Sequence, residues 1–121
     1  MIGGLHHVAV RTTDIERSAR FYSDVLGFEE VLRLHFEDGS YLVQLAHEGS
    51  IVELFGGGKP VEDDRGEVGY THIALQVDSV DEEHARLSAL GFDFHIPPKH
   101  VQGIRCAFFR DPDGNPIEII E

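Results

Sequence analysis

The chain has 121 residues, a formal net charge of −12, and a composition that is 41% hydrophobic and 26% charged. These values describe one compact globular domain and exclude a multidomain machine or a disordered chain. Its 22 acidic residues against 10 basic ones would repel phosphate backbones and anionic membrane surfaces, so neither nucleic acid nor membrane is expected as a partner. The first predicted element is a strand over Leu5 to Arg11, where apolar residues alternate. A helix follows from about Asp14 to Leu26, with Thr13-x-x-Glu16 as a capping box and Ile15, Ala19, Tyr22 and Leu26 at helical spacing. Gly27 is placed to end it in a left-handed conformation. Strands are expected near Phe28 to Phe36, Tyr41 to His47 and Ile51 to Phe55. A second helix starts at Ser79-x-x-Glu82, continues through Val80, Leu87 and Leu90, and stops at Gly91. Three more strands are expected near Phe92 to Ile96, Arg105 to Arg110 and Ile117 to Ile120, with Asp38-Gly39 and Asp113-Gly114 as hairpin turns.

The elements run β-α-β-β-β twice, and the sequence repeats with them. Leu5-His6-His7-Val8-Ala9-Val10 resembles Tyr70-Thr71-His72-Ile73-Ala74-Leu75 at an offset of 65. The same offset sets Glu53 on Glu118 and Glu48-Gly49-Ser50 on Asp113-Gly114-Asn115. Leu26-Gly27-Phe28 pairs with Leu90-Gly91-Phe92 at 64, so one residue was lost locally. The glycine-rich, then acidic stretch 56–69 reads as a linker between modules 1–55 and 70–121.

Each His is followed by its Glu after 46 residues. Strand alternation sets His7 with Ala9 and Arg11 on one face, and Val8 and Val10 on the face the helix must cover. The same alternation groups His72 with Ala74, Glu53 with Ile51 and Phe55, and Glu118 with Pro116 and Ile120. A carboxylate inside a short Ile/Val/Leu strand is costly to bury unless it is paired, protonated or metal-bound. Taken singly, each of the four would be an ordinary half-buried polar residue. The equal spacing in both copies favours one shared site instead. Two imidazoles and two carboxylates, His7, Glu53, His72 and Glu118, suit a divalent transition metal. Nickel, zinc, cobalt, manganese and iron all fit that donor set.

Four motifs now carry a family resemblance over nearly the whole chain. They are Leu5-His6-His7-Val8-Ala9-Val10, Asp24-Val25-Leu26-Gly27-Phe28, Tyr70-Thr71-His72-Ile73-Ala74-Leu75-Gln76-Val77 and Phe109-Arg110-Asp111-Pro112-Asp113-Gly114-Asn115-Pro116-Ile117-Glu118. In these the chain resembles the vicinal oxygen chelate superfamily, of glyoxalase, bleomycin-resistance and dioxygenase type. The resemblance implies an α+β fold of two βαβββ modules forming a single domain, a homodimer, and a metal held by His7, Glu53, His72 and Glu118. Glyoxalase-I-like proteins, of lactoylglutathione lyase type, match best because all four positions agree. That likeness implies a small-molecule substrate with two vicinal oxygens, a metal-stabilised enediolate, and Glu53 or Glu118 as the proton-transferring base. Arg11 matches an arginine that grips glutathione in glyoxalase I; as a bare residue it is equally a solvated strand-end charge. Gly56-Gly57-Gly58 stands where glyoxalase I carries an Asn used for glutathione. Antibiotic-binding or antibiotic-modifying proteins, epimerases and extradiol dioxygenases of the same superfamily are the alternatives.

The remaining features have local readings. The stiff segment His95-Ile96-Pro97-Pro98-Lys99-His100 is either a solvated loop or a pocket border. In the second case Lys99 and His100, with Arg33 or Arg105, would select an anionic substrate. His35, His47, His84 and His95 read as surface or packing residues, His6 as pointing away from His7, and the single Cys106 as a buried structural thiol. The N-terminus lacks the charged region and apolar stretch of a signal peptide, which predicts a cytoplasmic protein.

Overall fold

A computed structural model describes residues 1–59 and 70–121. Most of the stretch expected as a linker, residues 60–69, lies outside the described residues. The chain is built as two compact units, Met1–Pro60 and Val61–Glu121, each an α+β module. Among the described residues no helix is long and apolar enough to cross a membrane.

The first module runs β1 (Val8–Arg11), α1 (Ile15–Arg20) with a π-helical extension (Phe21–Val25), β2 (Glu29–His35), β3 (Tyr41–His47) and β4 (Ser50–Phe55). The second runs β5 (Ile73–Gln76), α2 (Val80–Ala89), β6 (Ile96–Val101), β7 (Ile104–Arg110) and β8 (Pro116–Ile120). Sheet orders are β1-β4-β3-β2 and β5-β8-β7-β6. In each sheet the last strand returns through two hairpins to lie parallel to the first. That return sets the His-bearing and Glu-bearing segments side by side.

Burial follows strand alternation. Val43, Leu45, Val52 and Leu54 form the first core with Ile15, Tyr22 and Phe28. Ala107, Phe109, Ile117 and Ile119 form the second with Val80 and Leu87. Val10 is buried as expected, whereas Val8 is exposed. Cys106 is buried.

Local chemistry revises three expectations. The helix cap is Asp14, whose carboxylate accepts from the Arg17 amide at 3.1 Å, and not Thr13, whose hydroxyl accepts from the Arg17 guanidinium. The Glu16 carboxylate accepts from Arg33 and from the Tyr41 hydroxyl. In α2 the Ser79 hydroxyl does accept from the Glu82 amide. Glu121 adds a second cap there, accepting from the Val80 amide at 2.8 Å.

The second difference is the π-helical extension. Asp14 and Leu26 enclose eleven residues, whereas Ser79 and Leu90 enclose ten. The repeat offset falls from 65 to 64 within this helix, so the wide turn houses the extra residue. The Ser23 hydroxyl donates to the Ala19 carbonyl at 2.9 Å, the oxygen that an α-helix would give to the Ser23 amide. Gly27 and Gly91 then end both helices at φ 82° and 95°.

The third is the strand expected over Phe92 to Ile96, which instead begins at Ile96. Phe92 and Phe94 alternate like strand residues, but both rings pack on Phe109, and Phe94 also meets His84. Pro97 and Pro98 lack N–H donors, and the β6 register shifts between Ile96 and Lys99.

Candidate functional site

In the first module Ala9 lies opposite Glu53 in the parallel β1–β4 pair. His7 precedes Ala9 by two residues and leaves the sheet on the same face. The alanine's small side chain leaves room there, and His7 Nε2 stands 3.4 Å from Glu53 Oε1. In the second module Ala74 lies opposite Glu118, and His72 Nε2 stands 2.9 Å from Glu118 Oε2. The two glutamate side chains are 9% and 14% exposed, too little for water alone to solvate a carboxylate. Each therefore depends on its imidazole, on another hydrogen-bond donor or on a cation.

Two equivalent neighbours occupy the other ring nitrogens. His6 Nδ1 lies 2.8 Å from His7 Nδ1, and Thr71 Oγ1 lies 2.7 Å from His72 Nδ1. A partner on Nδ1 restrains the ring orientation and leaves Nε2 to face the carboxylate. His6 thus turns to His7, contrary to the expectation that it points away. The signal was present, since His6 and Thr71 share the 65-residue offset.

The Asp-Pro-Asp-Gly-Asn motif has a structural use. Asp111 is buried, and its carboxylate accepts from the amides of Asp113 and Asn115 and from the Asn115 side chain at 2.9–3.0 Å. This closes the β7–β8 turn and sets the register that brings Glu118 opposite Ala74.

The cationic candidates spread out. Arg11 donates to the Gly56 carbonyl at 2.9 Å, lies over the Phe55 ring, and lines a cavity of about 380 Å³ with Phe36, Tyr41 and Gly57. Arg105 is bidentate to Asp81 of α2 at 2.7 and 3.0 Å, which turns it to the helix face and holds the Asp81 carboxyl below its usual range. Arg33 is taken by Glu16 and Glu30 and depresses both carboxyls. Lys99 and His100 lie exposed on the edge strand β6, opposite Cys106 and Arg105. Neither Arg33 nor Arg105 joins a His–Glu pair. His35, His47, His84 and His95 pack against Tyr41, Phe28, Phe94 and Phe108.

Imidazole nitrogen and carboxylate oxygen suit divalent first-row metals, and both pairs present them at contact distance. Among the described residues no three His, Cys, Asp or Glu side chains gather into one cluster, so each module by itself presents a pair of donors.

Comparison with known proteins follows the same repeat. The profile described as Glyoxalase/Bleomycin resistance protein/Dioxygenase superfamily matches residues 4–119. The chain is 35% identical to the Bacillus subtilis protein YwkD, over 100% of this chain and 98% of YwkD. It is 35% identical to a lactoylglutathione lyase of Salmonella typhimurium, over 97% of this chain and 91% of the lyase. A crystal structure of a FosX mutant, a fosfomycin resistance protein of Listeria monocytogenes, was determined with Mn(II) and 1S,2S-dihydroxypropylphosphonic acid. It superposes with a TM-score of 0.78 at 27% identity, covering 99% of this chain and 90% of that one. With its two βαβββ modules and a family match across almost its whole length, this chain belongs to the glyoxalase/bleomycin resistance protein/dioxygenase superfamily.

Proposed function

We propose that this protein is a metal-dependent, glyoxalase-I-like lyase or isomerase acting on a small substrate with two vicinal oxygens. The observation that carries this is the equivalence of the two His–Glu pairs, each with Nε2 facing a largely buried carboxylate. Relatives named lactoylglutathione lyase support the reaction class. In this reading His7, Glu53, His72 and Glu118 hold one divalent ion, brought together within one chain or across a homodimer. The bound cation supplies Lewis-acid polarisation of the two substrate oxygens.

The chain's own residues would do the rest. A carboxylate oxygen of Glu53 or Glu118 takes the carbon-bound proton and returns it to the neighbouring carbon. His6 and Thr71 hold the two imidazoles in place. Arg11 spends one N–H on Gly56 and retains others for an anionic group of the substrate.

Glu118→Gln tests the site. Elemental analysis of the purified variant should show lost divalent metal, and conversion of the hemithioacetal of glutathione and an α-ketoaldehyde should fall with it. Full metal content in the variant would refute the assignment. A second reading, modification of an antibiotic of the fosfomycin type, draws on the glycines at 56–58 and the FosX likeness. Turnover of fosfomycin with none of the hemithioacetal would select it.

A further inference from the structure

We propose that Gln44 is a positioning residue for Glu53, deciding which of its two carboxylate oxygens is offered to a metal ion. The inference rests on the reading of Glu53 as a metal ligand. Gln44 and Glu53 are directly opposed in the antiparallel β3–β4 pair, so their side chains leave the sheet on one face as close neighbours. Gln44 Nε2 donates to Glu53 Oε2 at 2.5 Å. An ionised carboxylate only accepts, so the amide nitrogen must face it, and the orientation of Gln44 is set by chemistry.

This bond engages Oε2 and leaves Oε1, the oxygen that faces His7 Nε2. Rotating the carboxylate to exchange its oxygens would break a charge-assisted hydrogen bond in a poorly hydrated place. Glu53 therefore presents a single oxygen in a fixed direction. The second module lacks this tether. Its register sets Phe108 opposite Glu118, and the Phe108 ring lies edge-on to His72 with centroids 5.0 Å apart. A phenyl ring offers a carboxylate no N–H or O–H. The core residues Val43 and Leu45 on either side of Gln44 point to the opposite face, so its amide takes no part in their packing.

The test is titration of the metal-free full chain with Co(II), read by visible absorption. Gln44→Met keeps the side chain's length and removes its donor. Its Co(II) affinity should fall about 10–100-fold, as for other residues that orient metal ligands, while the melting temperature of the metal-free protein stays near the parent's. Glu53→Ala alone should lose more, and Gln44→Met added to it should cost nothing further, because Gln44 acts through Glu53. Parent-like Co(II) affinity in Gln44→Met would overturn the inference while leaving Glu53 as a ligand. So would losses that add in the double variant. Parent-like affinity in Glu53→Ala would overturn the ligand reading and the inference together. Gln44→Leu repeats the measurement should the methionine variant fold poorly.

Discussion

The two modules share a backbone plan but differ where polar groups must be managed. In both, a first-turn helix acid is tied to the opening residues of the third strand: Glu16 to the Tyr41 hydroxyl at 3.0 Å, and Asp81 to Arg105. The first module adds Arg33 to its acid, where the second relies on one bidentate arginine. The carboxylate facing histidine is held by Gln44 in one sheet and backed by Phe108 in the other. The first helix carries an extra residue in a π turn, and the second is regular. The core positions and strand registers thus repeat more closely than the polar contacts do. Apolar packing needs only volume and alternation, whereas each hydrogen bond needs a particular partner.

Core truncations should give the largest effects and show whether the two modules share one stability. Phe109→Ala, at a fully buried site in the second module, should cost about 3–5 kcal/mol in urea denaturation. Leu54→Ala, equally buried in the first, should cost about 2–5 kcal/mol. If the modules depend on each other, both variants will unfold in a single transition at lower urea. Two separate transitions would break that dependence.

Deleting Ser23 should have a smaller effect, about 0.5–3 kcal/mol, because the shortened helix can adopt the ten-residue plan of α2. Deleting Ser88 from α2 should cost more, since that helix has no wide turn to give up. Equal losses would mean that the π turn does not absorb the extra residue. Thermal melts followed by circular dichroism compare the two.

The smallest effects belong to the exposed ion pairs. Glu16, Glu30 and Asp81 all have depressed carboxyl pKa values in the folded chain, with a hydrogen-bonded arginine as the first cause. Their contribution is therefore present above the ordinary Glu and Asp values of about 4.3 and 3.9, and is lost as pH falls through the lower folded values. Arg105→Gln should raise the Asp81 midpoint in a carboxyl NMR titration and leave Glu16 unmoved. Arg33→Gln should raise Glu16 and Glu30 and leave Asp81 unmoved. Neither change should alter melting much at neutral pH, because exposed pairs are screened by water and salt.

Much of this plan was legible in the sequence. The 65-residue offset marked the two modules and all four His and Glu positions, since a duplicated strand keeps its alternation. The local polar chemistry was harder to read. Thr13 and Asp14 are both good caps, and it is Asp14 that has the extended backbone of a cap and accepts from the Arg17 amide. Phe92 and Phe94 alternate like strand residues but serve as packing against Phe109. Arg105 has the charge for an anion site, yet strand parity turns it to the helix face and Asp81. Gln44 gave no signal, because its role depends on a cross-strand register that no local pattern reveals.

The Asp111 turn has a consequence for motion. Its carboxylate takes two backbone amides and a side-chain amide while buried, so this loop cannot open without stranding a charge in the interior. Loops are ordinarily the first parts of a protein to exchange their amide protons. Here the Asn115 amide should exchange on the slow timescale of the neighbouring strands, so β8 starts from a rigid anchor. Breathing in the rest of the module would then leave Glu118 in register, and the most mobile kind of element would act as its fixed point.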